Sequence, residues 1–415
     1  MTAALDTFVP PPPTGPDGPH RLLLAGATTL DDHVRRHGGL PNTEARQIRS
    51  VVAESGLTGR GGAGFPAHRK LDAVASGRRA VAIGNAAESE PASRKDRVLL
   101  SHAPHLVLDG LQLAARAIDA REAHLYVPSD AVVDVRAALA GRRDPLPVTV
   151  HIAPDAFVAG EESAVVSAVA GGPPIPQDKA VRVIERGLHG RPTLVQNVET
   201  LAHLALIVRY GADWFRRAGT VDEPGTFLAT LTGPVRTPGV YELPYGIRIG
   251  DVIAAAGGAT EPLQALLIGG YHGAWVPARP EIEISRAGLA AFDASPGAGI
   301  VVPLAARSCG LVATAHVVSY LSGQRAGQCG PCVNGLPRIA DTFLALAQCR
   351  SYPDLMSQVH RLSRLVVGRG ACKHPDGTVR LIRSSLRMFA PEVSAHLAGW
   401  CTAATSATYI ARSAS

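Results

Sequence analysis

Between residues 80 and 152 short apolar runs alternate with helix-length segments, and that alternation restricts the chain to a narrow class of folds. Ala80-Val81-Ala82-Ile83-Gly84-Asn85 reads as a buried strand ending in a polar turn. Residues 103–120 have the apolar spacing of an amphipathic helix, and Ala123-His124-Leu125-Tyr126-Val127 reads as the next strand. A helix over 130–141 and a strand over Val148–Ile152 continue the series. Such a series calls for a parallel sheet, which takes its ligands at the carboxyl ends of the strands. Three polar strings are expected there: Gly84-Asn85-Ala86-Ala87-Glu88-Ser89-Glu90-Pro91, Gly160-Glu161-Glu162-Ser163, and Arg191 to Thr200.

Upstream, residues 56–66 read GLTGRGGAGFP. Glycine tolerates positive φ and has no Cβ to hold a ligand off, so successive amides can point at a phosphate or a flat ring. Arg60 is expected to add positive charge. Two short helices over 29–55, the first capped by Thr29 or Asp31 and the second starting at Thr43, lead into this loop.

The chain of 415 residues is long enough for two or three cores, and its 46% hydrophobic and 18% charged content excludes a disordered polymer. A net charge of +6, spread over scattered arginines, gives no footprint for nucleic acid. Residues 1–20 read as a disordered tail without the features of a secretion signal, and 401–415 as a second tail. The most apolar late stretch, 298–321, carries Pro303, Arg307 and His316, so no membrane span is expected and the location expected is cytoplasmic. Six cysteines are too few for a disulfide scaffold, which leaves their spacing as the informative property.

From residue 226 the texture changes to short β-like pieces, Phe227–Gly233 and Gly239–Leu243, followed by a helix at Ile249–Ala256. Beyond 310 it becomes helical, with candidates at 311–321, 336–346, 352–365 and 379–389. The expected division is an α/β unit over 21–225, a small β-rich unit over 226–300 and a helical unit over 301–400. Cys329-Gly330-Pro331-Cys332 and the distant Cys372 lie in the last of these, a grouping that favours a metal. No G-x-S-x-G elbow, H-E-x-x-H helix or Walker lysine is present, so no side-chain nucleophile is expected.

Taken together, the glycine loop, Asn85-Ala86-Ala87-Glu88-Ser89-Glu90-Pro91, Gly160-Glu161-Glu162, Pro192-Thr193 through Asn197-Val198-Glu199-Thr200 and the Cys-x-Pro-Cys pair resemble, in order, the FMN-carrying 51 kDa-type subunit of respiratory complex I and its soluble relatives. The resemblance covers roughly residues 27–390. It implies a Rossmann-like α/β FMN domain, a β-grasp module of the soluble-ligand-binding type and a helical bundle holding a [4Fe–4S] cluster. The implied activity is that of an NADH dehydrogenase, with electrons leaving for a ferredoxin-like or other redox subunit. It also implies that Gly59, Arg60, Gly61 and Gly62 lie against the flavin and its phosphate, with Lys70 reaching flavin or nucleotide. Asn85, Ser89, Gly160, Asn197 and Thr200 would bond ribityl, ring or phosphate groups. Glu90, Glu161 and Glu162 would shape the nicotinamide pocket, Phe65 would stack on the nucleotide, and Lys179 would bind it.

The chain departs from this pattern in several places. Relatives ligate with Cys-x-x-Cys-x-x-Cys plus one distant cysteine, whereas here Ala326 occupies the first position and Cys329, Cys332 and Cys372 remain. A cubane ordinarily takes four cysteinates, so another group supplies the fourth bond, or the cluster has three irons, or the site is dead or holds zinc. Cys309, Cys349, Cys401 and His374 are unassigned, and the three cysteines are expected to be inert buried thiols. Ala73 and Arg182 stand where relatives carry adenine-stacking aromatics, which leaves NADH and NADPH both open. Ala87 replaces an acidic residue of the flavin pocket and Gln196 an asparagine. The alternative these replacements raise is a non-catalytic docking subunit with a flavin-type fold.

Overall fold

The computed structural model describes residues 21–23, 28–177 and 181–403; both expected tails, apart from residues 401–403, and Lys179 lie outside the described residues. Strands β1 (Val81–Asn85), β2 (Glu122–Pro128), β3 (Val148–Ala153) and β4 (Thr193–Asn197) form a parallel sheet in the order β3-β2-β1-β4. β1 is apolar on both faces because helices cover both sides, as buried parallel strands require. The chain steps outward from β1 through β2 and β3, then returns to the other side of β1 for β4. That reversal opens a crevice beyond the carboxyl ends of β1 and β4, where Asn85 and Asn197 stand in register.

The first helices run over Leu30–His37 and Ala45–Ser55. Thr29 caps the first, its hydroxyl accepting from the Asp32 N–H, and Glu44 rather than Thr43 caps the second. The helix expected to be amphipathic spans Pro104–Ala117 and is buried almost all round, because it packs against the sheet and against helices Ala45–Ser55 and Val198–Tyr210. Its Asp109 is 1% exposed and is surrounded by His33 at 2.8 Å, Arg142 at 2.5 Å and Arg209. Burial opposes its charge, but the His33 hydrogen bond and the two guanidinium groups outweigh burial and hold the carboxyl below its usual range.

The second sheet contains β5 (Thr226–Leu231), β6 (Gly239–Pro244), β7 (Leu263–Ile268), β8 (Ala274–Pro277) and β9 (Ile300–Ala305), in the order β6-β5-β9-β7-β8. Only β5 and β9 run parallel, and the helix Ile249–Ala255 contributes Ile249 and Val252 to the core on one face. Its closing strand continues past residue 300, the expected end of the module, to Ala305. The other face joins the helical unit: the Trp275 backbone N–H donates to Ser384 Oγ at 3.1 Å and its indole N–H to Thr314 Oγ1 at 2.8 Å. That unit comprises helices Gly310–Gly323, Leu336–Ala347, Leu355–Val366, His374–Met388 and Ala390–Leu397. Pro375 sits in the first turn of the fourth, where a missing N–H costs nothing, so that helix starts earlier than its apolar spacing suggested. No helix among the described residues is long and apolar enough to cross a membrane.

The central helix pair is closed by Gly110, where an added Cβ would overlap the Leu201 carbonyl. Gly110→Ala therefore lowers stability by about 1–3 kcal/mol through overpacking. Gly323→Ala, which faces open space, stays within about 0.5 kcal/mol of the native protein. Urea unfolding of the two variants checks the contrast.

Candidate functional site

The glycine loop folds back on itself and closes over the crevice. Gly59 N–H donates to the Phe65 carbonyl at 2.9 Å, Ala67 N–H donates to the Leu57 carbonyl at 2.9 Å, and Thr58 bridges Pro66. Gly62 and Gly64 have φ of 107° and 59°, a left-handed region that side chains rarely tolerate. The Arg60 N–H donates to Thr200 Oγ1 at 2.9 Å, and a Cβ on Gly61 would come within 3.4 Å of the Asn197 Cβ. The loop is thus fastened to the start of the helix Val198–Tyr210, which Asn197 caps by accepting from the Glu199 N–H at 3.0 Å.

The Arg60 guanidinium departs from expectation. It is buried against the carbonyls of Thr58, Pro224 and Thr226 and lies 4.6 Å from the Tyr245 ring centroid. Its charge ties the loop to the second sheet. Arg286 from that side donates to the Ala63 carbonyl at 3.0 Å and pairs with Glu223, and its guanidinium fills the space a Cβ on Gly64 would take.

The other expected residues gather at the same crevice, with differing degrees of commitment. Asn85 donates to the Gly160 carbonyl at 3.0 Å and accepts from the Ala87 N–H at 3.0 Å. Ser89 lies beside Gly160, where a Cβ would be 2.9 Å from the Ser89 hydroxyl and 3.0 Å from the Ala87 carbonyl. Lys70 pairs with Glu162 at 2.6 Å and donates to the Val195 carbonyl at 2.7 Å. Glu161 turns back to cap its own helix, accepting from the N–H groups of Ser163 and Ala164. Glu90 accepts from the Tyr271 N–H at 2.9 Å, reaching the second sheet's loop. Phe65 is 51% exposed and free to meet a flat ring. Arg182 is exposed, and Lys179 lies outside the described residues.

One polar atom at the strand ends fits a ligand's needs. The Tyr126 hydroxyl is buried without a hydrogen-bond partner, and Tyr126 is in register with Asn85 and on its face of the sheet. The Gln196 amide nitrogen is also unpartnered, but Gln196 is in register with Gly84 and points to the opposite face. A buried donor without a partner carries a desolvation cost that a bound polar group removes.

Beneath the crevice is a group of charges that sequence reasoning missed. Lys95, 3% exposed, bonds Asp96 and Glu199, each at 2.8 Å. Asn197 donates to Asp96 at 2.7 Å, and Glu199 accepts from the Leu228 N–H at 2.9 Å. Glu88 accepts from the Asp96 and Arg97 N–H groups at the start of the helix Lys95–His102. The only sequence signal was a Lys-Asp pair before an apolar run, a pattern that normally marks a solvated helix start.

In the helical unit the Cys329 and Cys332 thiols hydrogen-bond each other, and Cys372 lies within electrostatic reach of Cys332. Cys332 is 2% exposed; burial, then hydrogen bonding and charge from Cys329, then the charge of Cys372, push its thiol up. Ala326 packs its methyl group against the bundle core and brings no donor. His374, two residues beyond Cys372, is not free to replace it: one ring nitrogen faces the Leu321 carbonyl at 2.8 Å and the other faces His272 at 3.0 Å. Three sulfurs fit an iron–sulfur group in chemistry, one donor short of a cubane. Phe157, in the turn ending at Gly160, packs against His272, His374 and Tyr320 and links the crevice to the thiol group.

Comparison with known proteins agrees with this layout. Residues 52–206 match the family described as the Nuo51 FMN-binding domain, 228–270 the SLBB domain, and 312–396 the NADH-ubiquinone oxidoreductase-F iron-sulfur binding region. The NADH-quinone oxidoreductase F 2 subunit of Rhizobium meliloti is 30% identical over 85% of this chain and 89% of its own length. The NADH-quinone oxidoreductase F subunit of Mycobacterium bovis is 30% identical, with 85% of each chain covered. A crystal structure of NAD+-reducing [NiFe]-hydrogenase in the H2-reduced state superposes with a TM-score of 0.77 at 31% identity, covering 85% of this chain and 63% of the hydrogenase chain.

Burial pushes the Glu90 carboxyl up to about 8, against the Tyr271 N–H that favours its ionised form. The folded protein then keeps a proton that the unfolded chain releases above the ordinary value of 4.5. This contribution to stability is complete below that value and is lost as pH rises through about 8. Glu90→Gln keeps an acceptor for Tyr271 and cannot ionise. Thermal melts should match the native protein near pH 4.5 and show the variant more stable near pH 9, with the gap opening between about 4.5 and about 8.

Proposed function

Because this chain belongs to the NADH-quinone oxidoreductase F subunit family, we propose that it oxidises a reduced nicotinamide nucleotide and passes the electrons through FMN to an iron–sulfur group and on to a redox partner. The chemistry FMN supplies when bound is conversion between a two-electron hydride and single electrons, which no side chain of the chain can perform. The observation that carries this reading is the convergence, at the carboxyl ends of β1 and β4, of the glycine loop, Asn85, Gly160 and Asn197 with the unpartnered Tyr126 hydroxyl.

In this reading the α/β unit, residues 21–225, holds the flavin and the helical unit holds the iron, with the β-grasp module as a spacer between them. Gly61 and Gly62 present main-chain amides to the phosphate and ring, Gly59 turns the loop back on Phe65 beside them, and Gly160 keeps the floor clear of a Cβ. Asn85 and Ser89 orient polar groups of the flavin. Lys70, neutralised in part by Glu162 and bonded to the Val195 carbonyl, offers its one remaining N–H to flavin or nucleotide. Phe65 provides an exposed face for the nucleotide. Arg60 and Thr200 act one step back by fixing the loop. Cys329, Cys332 and Cys372 hold the iron–sulfur group, with the fourth bond supplied from outside the cysteine set. The names of its relatives, each a subunit of an oxidoreductase, support a redox partner subunit; the partner we propose is of ferredoxin type, and the location cytoplasmic and peripheral to any membrane.

The test is anaerobic purification with flavin, iron and sulfide counts, followed by EPR after addition of NADH or NADPH. Flavin bound with iron reduced by nucleotide supports the reading. Protein that takes up neither is the non-catalytic docking subunit instead. Gly160→Ala, forced against Ser89 and the Ala87 carbonyl, should bind FMN at least about tenfold more weakly, or ~1.4 kcal/mol. Its iron content should remain unchanged. Cys332→Ser should do the reverse, losing iron while keeping flavin.

A further inference from the structure

Away from the three thiols assigned to iron, the helical unit holds a second group of metal-type donors. Cys309, His396 and Cys401 place one ligand atom each within 4.8 Å of one another. The Cys309 sulfur and His396 Nε2 are 3.5 Å apart. Tetrahedral zinc with bonds of about 2.3 Å to sulfur and about 2.0–2.1 Å to nitrogen separates those atoms by about 3.5 Å.

We propose that Cys309, His396 and Cys401 form a structural zinc site, with water completing the tetrahedron at the surface beside Cys401. The histidine is oriented for this role: its Nδ1 faces the Leu346 carbonyl at 3.0 Å and carries the proton there, so the Nε2 lone pair points at Cys309. A ligating histidine is ordinarily fixed by such a carbonyl. His396 and Cys309 are buried, at 1% and 7% exposure, while Cys401 lies at the surface and gives an ion its way in.

The place in the fold separates this site from the iron site. Cys309 caps the start of the helix Gly310–Gly323, and Cys329 follows that helix's far end. Fourteen residues span about 21 Å at 1.5 Å each. Zinc at the distal end would tie the start of Gly310–Gly323 to the end of Ala390–Leu397 and its following coil. Zinc has no redox chemistry of its own, so the site fixes the bundle without competing for electrons. Glu392 stays outside the donor set: its Oε2 accepts from the Gly310 N–H at 2.8 Å and the Leu311 N–H at 3.4 Å, and in the metal-free chain from the Cys309 thiol at 3.3 Å, the bond that zinc would replace. Binding replaces the thiol protons of the cysteines with the ion, and those protons leave to solvent.

The experiment is elemental analysis of the full chain purified anaerobically with its cofactors, together with zinc-edge X-ray absorption. The native protein should hold about one zinc per chain in a shell of cysteine sulfur, imidazole nitrogen and water oxygen. Cys309→Ser and Cys401→Ser should lose zinc and keep flavin and iron, while Cys332→Ser should lose iron and keep zinc. Because Cys401 lies on an exposed coil, its serine variant folds, and a zinc chelator should lower the melting temperature of the native protein but not of this variant. Native protein that takes up no zinc, a Cys309–Cys401 disulfide in peptide maps, or full zinc occupancy in Cys401→Ser would each overturn the assignment. None of these results bears on whether FMN binds.

Discussion

The buried ammonium of Lys95 is the interaction on which the crevice depends. Burial works against its charge, but Asp96 and Glu199 on either side outweigh that penalty and hold it protonated. Each partner has a second task. Asp96 orients Asn197, the cap at the end of β4, and Glu199 accepts a main-chain N–H from β5 of the second sheet. One cation therefore sets the relation between β1's following helix, β4 and the neighbouring module. Removing either partner would leave an uncompensated charge beneath the crevice, and such losses typically cost about 3–5 kcal/mol.

The same economy appears in the loop above it. Arg60 seemed, from its place among glycines, to be a group for contacting an anion. The fold uses it as an anchor, with carbonyls of three separate residues and an aromatic face around the guanidinium. What remains for a ligand is the bare main chain, held in place from behind. Glu161 behaves in the same way as the cap of its own helix. Pre-positioned amides with a fixed backing reorganise little when charge arrives.

The strands of the parallel sheet were legible because they are short apolar runs bounded by polar turns, and the helices of the last unit because their apolar spacing is regular. The helix Pro104–Ala117 was legible in position but not in environment. The distant Arg142, Arg209, His33 and Leu146 show where its buried Asp109 and Gln112 are satisfied, while the His105 Nδ1 stays without a partner. Partners a hundred residues away leave no periodic trace. The Lys95 group was hidden for the same reason. The three zinc donors Cys309, His396 and Cys401 have no motif spacing, so as a sequence the two cysteines read as ordinary buried thiols.

Arg286 binds two positions of the chain to a shared history. Its guanidinium rests where a side chain at position 64 would stand, while bonding the carbonyl of Ala63 next door. A descendant that replaces Gly64 must also withdraw or shorten residue 286, and one that loses Arg286 frees position 64 from that obstruction while leaving its left-handed backbone constraint. The two sites are 222 residues apart in the numbering, yet a side chain gained at the first is felt at the second.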